Sequence, residues 1–118
     1  AKNADMQQVF LNVLLNAIQA ISEDGFIFVE SRYTPEEETI HVTITDNGSG
    51  LEGVDTESLF SPYYTTKENG SGLGLFITRK NLSRYGGSIV LKTDEGGMTV
   101  CHIALPVVHK TATLLEGD

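Results

Sequence analysis

The chain is 118 residues long, 40% hydrophobic and 20% charged, with 16 acidic against 8 basic residues and a formal charge of −8. That length fits one domain, the apolar share excludes a disordered chain, and the acidic balance argues against nucleic acid or an anionic membrane as a partner. The single cysteine, Cys101, excludes an internal disulfide and a cysteine-built zinc site and suits a reducing compartment; no apolar run long enough to span a membrane and no signal-peptide pattern is present.

Residues 5–22 are predicted to be helical. Met6, Val9, Phe10, Val13, Leu14, Ala17, Ile18 and Ile21 keep the i, i+3, i+4, i+7 rhythm, and Leu11 and Leu15 widen the apolar surface. Gln8, Asn12, Asn16 and Gln19 form a polar stripe within an arc of roughly 80°. So apolar a helix is expected to be covered on most of its circumference, with the stripe turned toward something polar. Gly25 ends this unit. Residues 26–33 and 39–45 read as two strands joined by a turn at Thr34-Pro35-Glu36-Glu37-Glu38. Two-fold alternation sets Ile40, Val42 and Ile44 on one face and carries Asp46 onto that same apolar side.

From Asp46 to Gly74 no period is sustained, and structureless stretches of this length in small domains tend to be functional. A second helix is predicted over 73–85, stopped by Gly86-Gly87. Residues 88–93 and 98–105 read as a hairpin across Asp94-Glu95-Gly96-Gly97, and Pro106 closes the last strand. The order predicts one α/β domain over 1–106, a two-layer sandwich with helices on one face of a mixed, mainly antiparallel sheet, and a tail over 107–118.

Four features carry chemistry. Asparagine is a poor helix-interior residue, so Asn12 and Asn16, four apart on one face, are either satisfied interior amides, a solvated edge, or neutral oxygen ligands suited to Mg²⁺. Asp46-Asn47-Gly48-Ser49-Gly50 is ordinary turn chemistry, except that the inward parity of Asp46 calls for a donor such as the amine of adenine, and the glycines would let backbone approach a flat base. Leu59 to Lys67 places three aromatics in a polar loop that ends on a cation, Lys67, solvated or meeting a phosphate. Gly70-Ser71-Gly72-Leu73-Gly74-Leu75 opens the second helix, where amides and the helix dipole favour an anion. It lacks the Gly-Lys-Ser/Thr of a Walker A loop, and no strand directly precedes it as in a dinucleotide fold.

In this order and spacing the set resembles the catalytic ATP-binding domain of sensor histidine kinases, in the GHKL superfamily shared with gyrase, Hsp90 and MutL. Gln7 to Ile21 is similar to the N box, Asp46 to Gly50 to the first glycine box, Leu59 to Lys67 to the F box, Gly70 to Leu75 to the second glycine box, and Gly96 to Pro106 to the closing block. The wording is most similar to the nitrogen-regulation type. The resemblance implies a Bergerat-type fold and ATP with Mg²⁺ as ligands. It implies that Asn16 ligates the metal and that Asn12 lies near the phosphates. Asp46 would bind the adenine amine with Thr99 beside it, and Gly48 and Gly50 would shape the base pocket. Residues 51–69 would form a lid, with Gly70, Ser71, Gly72, Leu73, Gly74 and Leu75 at its phosphate-side end. Two positions depart from the family pattern. Gln19 stands where many members carry a base, which shifts phosphate charge onto Lys67, and Met98 replaces the glycine before Thr99.

The implied activity is transfer of the γ-phosphoryl group of Mg-ATP to a histidine on a separate helical-hairpin domain of the same parent. The resemblance also implies a response-regulator receiver domain downstream and a cytoplasmic setting, with no direct membrane contact from this domain and a membrane anchor elsewhere in the parent left open. The alternatives are a non-catalytic ATP-binding regulatory module or anti-sigma-type kinase of the same fold, and a gyrase-type hydrolase. His41, His102 and His109 lack the acidic neighbour of the family's acceptor histidine and are expected to be plain surface residues. Cys101 shares a strand face with Thr99, Ile103 and Leu105 and is expected to be a small core residue.

Overall fold

The structure is a computed structural model that describes residues 3–22, 24–48, 56–61 and 74–107. Helix α1 spans Asn3–Ala20, strands β1 and β2 span Ile27–Thr34 and Thr39–Asp46, a 3-10 turn covers Thr56–Phe60, helix α2 spans Gly74–Arg84, and strands β3 and β4 span Ser88–Thr93 and Thr99–Pro106. The four strands lie in the order β1-β2-β4-β3. Every pairing among the described residues is antiparallel, in keeping with the mainly antiparallel sheet expected from the sequence and without a parallel pair.

Two short connections set the hairpins. Between β1 and β2, Glu38 takes a positive φ of 49° after Glu37 N and Glu38 N donate to Thr34 O and Pro35 O. Between β3 and β4, Asp94 Oδ1 accepts from Gly96 N and Met98 N, both at 2.9 Å, while Gly97 sits at φ 85°. Aspartate's short carboxylate satisfies the turn's amides and glycine supplies the left-handed step. Thr93 and Thr99 then face each other, and that register places Ile89, Cys101 and Ile103 on the inward side.

Both helices pack on that side. Val9, Val13 and Ala17, one turn apart along α1, meet Ile44, Phe60, Leu82, Ile89, Cys101 and Ile103 in one core. The helices run antiparallel. Tyr85 Oη donates to Asp5 Oδ2 at 2.5 Å at one end, and Asn12 meets Thr78 further along. Helix α2 stops where Gly86, at φ 76°, donates to Ser83 O while Gly87 N donates to Leu82 O at 2.8 Å, the glycine cap that the sequence led one to expect.

One expectation fails. Helix α1 is not covered on most of its circumference: Leu11, Leu15 and Ile18 are 53%, 43% and 53% exposed. Two helices are narrower than four strands. With α1 over β2 and α2 over β3, the edge strand β1 overhangs, and its inward-parity residues Val29 and Tyr33 are exposed too.

Candidate functional site

The polar stripe of α1 faces α2 on one flank. Gln8 Nε2 donates to Asn12 Oδ1 at 3.2 Å, and Asn12 Nδ2 donates to Thr78 Oγ1 at 3.3 Å. Asn12 and Asn16 are both half-buried, one turn apart, whereas Gln8 and Gln19 are exposed. Thr78 is fully buried on α2, between Leu75 and Leu82 on the helix's apolar face. A polar residue at such a position requires a partner, and Asn12 supplies one.

At the end of β2, Asp46 is 5% exposed on the inward face, as alternation required. Its Oδ1 accepts from Gly48 N at 2.9 Å, and its strand partner across the ladder is Thr99. Asn47 turns the other way: its Oδ1 accepts from Phe26 N at 2.7 Å and ties the loop to the start of β1. Gly48 lies against the C-terminus of α1, where an added Cβ would stand 2.4 Å from the Ala20 carbonyl oxygen. Only glycine allows that approach, and it brings the Asp46 turn beside the helix turn that follows Asn16. The charge of Asp46 also reaches Cys101, whose thiol is pushed up to about 12, chiefly by burial and secondly by that carboxylate.

The third part is the 3-10 turn. Phe60 is 4% exposed in the core, and the Arg79 guanidinium lies 4.0 Å from its ring centroid. Arg79 Nη1 and Nη2 donate to Glu57 Oε1 and Oε2 at 3.1 and 3.0 Å. This bidentate pair, with a cation stacked on an aromatic ring, fastens the turn to α2. Glu57's hydrogen bond is the larger reason that Arg79 holds its proton more tightly than usual. Leu75, at the start of α2, packs against the core and anchors the helix there, one residue after Gly74.

Of the residues singled out in the sequence, Asn12, Asn16, Asp46, Gly48, Gly74, Leu75 and Thr99 are described. Gly50, Lys67, Gly70, Ser71, Gly72 and Leu73 lie outside the described residues, as does the expected lid over 51–69 apart from Thr56–Ser61. Asp46 and Thr99 are brought together, and Gly48 is brought against α1. Thr78, Glu57 and Arg79 were not foreseen. Thr78 left one trace, a hydroxyl on the apolar face of a helix.

His41 and His102 are on the outer sheet face as expected, but they are not plain surface residues. Their Nδ1 and Nε2 atoms lie 2.9 Å apart in rings tilted by only 12°, and His41 Nε2 reaches Glu37 Oε1 at 3.3 Å. Both are half-buried. Burial, and then His41, Lys92 and Arg32, hold His102 below the ordinary histidine value.

No group of three or more histidine, cysteine, aspartate or glutamate side chains able to hold a metal occurs among the described residues. No helix among the described residues is long and apolar enough to cross a membrane.

Residues 1–109 match the family model described as histidine kinase-, DNA gyrase B-, and HSP90-like ATPase. The chain is 42% identical over 105 residues to the sensor histidine kinase ZraS of Salmonella typhimurium, covering 89% of this chain and 22% of that protein. It is 38% identical over 102 residues to sporulation kinase E of Bacillus subtilis, covering 86% and 14%. Among solved structures, the nucleotide-free catalytic domain of histidine kinase ThkA superimposes with a TM-score of 0.79 at 33% identity over 90% of this chain and 68% of that one. The chain spans about a fifth or less of the length of these curated relatives.

Proposed function

Since the chain belongs to the histidine kinase-, DNA gyrase B-, and HSP90-like ATPase family, we propose that it binds Mg-ATP and presents the γ-phosphoryl group to a histidine on a separate helical-hairpin domain of a longer parent protein. The observation that carries the reading is Asp46, a carboxylate 5% exposed at the end of β2, facing Thr99 across the ladder. A buried acceptor held this way suits a base that offers an amine, and adenine does so where guanine offers a carbonyl.

Phosphoryl transfer needs positioning and charge neutralisation more than a covalent protein nucleophile. Asn16 would hold the metal, which supplies charge neutralisation at the phosphates. Asn12 would lie beside it, one turn back on the same helix face. Lys67 would take the phosphate charge that Gln19 cannot. Gly70, Ser71, Gly72, Leu73 and Gly74 would bring backbone amides to the phosphates, with Leu75 anchoring their helix, and Gly48 and Gly50 would border the base. The phosphoryl group would then pass to a response-regulator receiver domain, in the cytoplasm.

Hydrolysis is the competing activity, and Asn12 speaks against it. A carboxamide takes no proton near neutral pH, so it cannot activate water as a carboxylate would. The deciding experiment is calorimetry with Mg-ATP and Mg-GTP, followed by labelled ATP with and without a helical hairpin bearing the acceptor histidine. Tight binding of ATP alone, with label appearing only on the hairpin, is expected. Equal affinity for GTP would sink the adenine assignment. Brisk phosphate release lost in Asn16→Ala would favour the hydrolase.

A further inference from the structure

We propose that Thr78 is a positioning residue that fixes which way the Asn12 carboxamide faces, and so which atom of Asn12 is offered to the nucleotide site. The proposal rests on the reading that Asn12 borders that site.

Both ends of the amide are specified. Asn12 Nδ2 donates to Thr78 Oγ1 at 3.3 Å, while Asn12 Oδ1 accepts from Gln8 Nε2 at 3.2 Å. The two ends differ in setting. Gln8 is exposed, so water can stand in for it, whereas Thr78 has no exposed surface and water cannot reach it. A threonine hydroxyl inside a helix commonly gives its proton to a carbonyl three or four residues back, which leaves oxygen lone pairs as what it offers a neighbour. Such a hydroxyl selects the NH₂ end of the asparagine and turns the carbonyl oxygen outward. A flipped amide would set two oxygens against each other at a contact whose Thr78 side is closed to water.

The contact also joins the two helices at a defined place. Thr78 is one turn into α2, which begins at Gly74, and Asn12 is one turn before Asn16 on α1. A shift at the start of α2 is thereby passed to the polar face of α1 through one hydrogen bond between side chains.

The test compares Thr78→Val, which keeps the shape and removes the hydroxyl, with Thr78→Ser, which keeps the hydroxyl. In the nucleotide-free chain, the NMR signals of the Asn12 side-chain amide should move toward those of exposed asparagines and exchange faster in Thr78→Val, and stay near wild type in Thr78→Ser. Transfer to a supplied histidine hairpin at saturating Mg-ATP should fall about three- to tenfold in Thr78→Val, the worth of one hydrogen bond, with a smaller change in KM. Thr78→Ser should retain most of the rate. Unchanged Asn12 signals in Thr78→Val, or equal loss of rate in both variants, would overturn the proposal. Shifted Asn12 signals in a chain that binds no ATP would leave the positioning contact standing and remove the functional reading instead.

Discussion

Asp46 and Thr99 are strand partners at the end of the β2–β4 ladder, with the Asp46 carboxylate turned inward and accepting from the Gly48 amide at 2.9 Å. One side chain belongs to the loop end of a strand and the other to the first residue of a strand much later in the chain, so the pair exists only once the sheet has closed. Asp46→Asn keeps the size and an acceptor oxygen but places an NH₂ group where amines must be accepted. ATP affinity should fall about tenfold or more by calorimetry, while circular dichroism stays native. Wild-type affinity in this variant would remove Asp46 from the base site.

Cys101 should be chemically silent. Burial, reinforced by the charge of Asp46, pushes its thiol up to about 12, so the reactive thiolate is scarce near neutral pH. A thiol reagent such as iodoacetamide should label the chain only after denaturation. Rapid labelling of the native chain would show that the core around Ile44 and Ile103 opens readily.

His102 should make stability depend on pH in a defined direction. Its folded value lies below the ordinary 6.5 because of burial first, then His41, Lys92 and Arg32; Glu37 faces the pair from the other side of His41. As pH drops through 6.5 the unfolded chain takes up this proton and the folded chain resists it. The contribution of neutral His102 is therefore present above the unfolded value and lost below it, until the folded value is passed. Denaturant midpoints should decline from about pH 8 to about pH 5, and His102→Gln should flatten that slope. An identical slope in the variant would assign the effect to other groups.

Leu82 and Leu15 should separate sharply under the same substitution. Leu82 has no exposed surface, and Leu82→Ala should cost about 2–5 kcal/mol through lost burial and a residual cavity. Leu15 is 43% exposed on the uncovered flank of α1, and Leu15→Ala should stay within about 0.5 kcal/mol in chemical denaturation. A large loss at Leu15 would mean that this flank is covered in solution.

Local patterns carried the elements well. The spacing of Val9, Val13 and Ala17 gave α1, the Gly86-Gly87 pair gave the end of α2, and parity turned Asp46 inward, because each depends on neighbours within one or two turns of chain. What escaped depends on which elements meet. His41 and His102 touch only because β4 lies beside β2 with a particular register, and no strand's own periodicity contains that register. Glu57 and Arg79 meet because the 3-10 turn docks on α2, and Thr78 finds Asn12 because the helices are antiparallel. The exposure of Leu11, Leu15 and Ile18 likewise reflects the width of the sheet against two helices, a property of the layers and not of the helix.

The strand order has a consequence for how the chain reaches this state. The hairpins β1–β2 and β3–β4 are local and can form early, but the ladder that unites them, β2 with β4, must wait for the chain between Asp46 and Gly74, then α2 and β3, to come round. In general such a non-local pairing slows folding, since loop entropy is lost before the new contacts compensate. Because that entropy grows only with the logarithm of length, doubling the connecting loop should cost only about 0.6 kcal/mol. The connection from Asp46 to Gly74 can thus take added length at modest cost to stability, provided that Gly48, Glu57 and Phe60 keep the contacts that tie it to α1, α2 and the core.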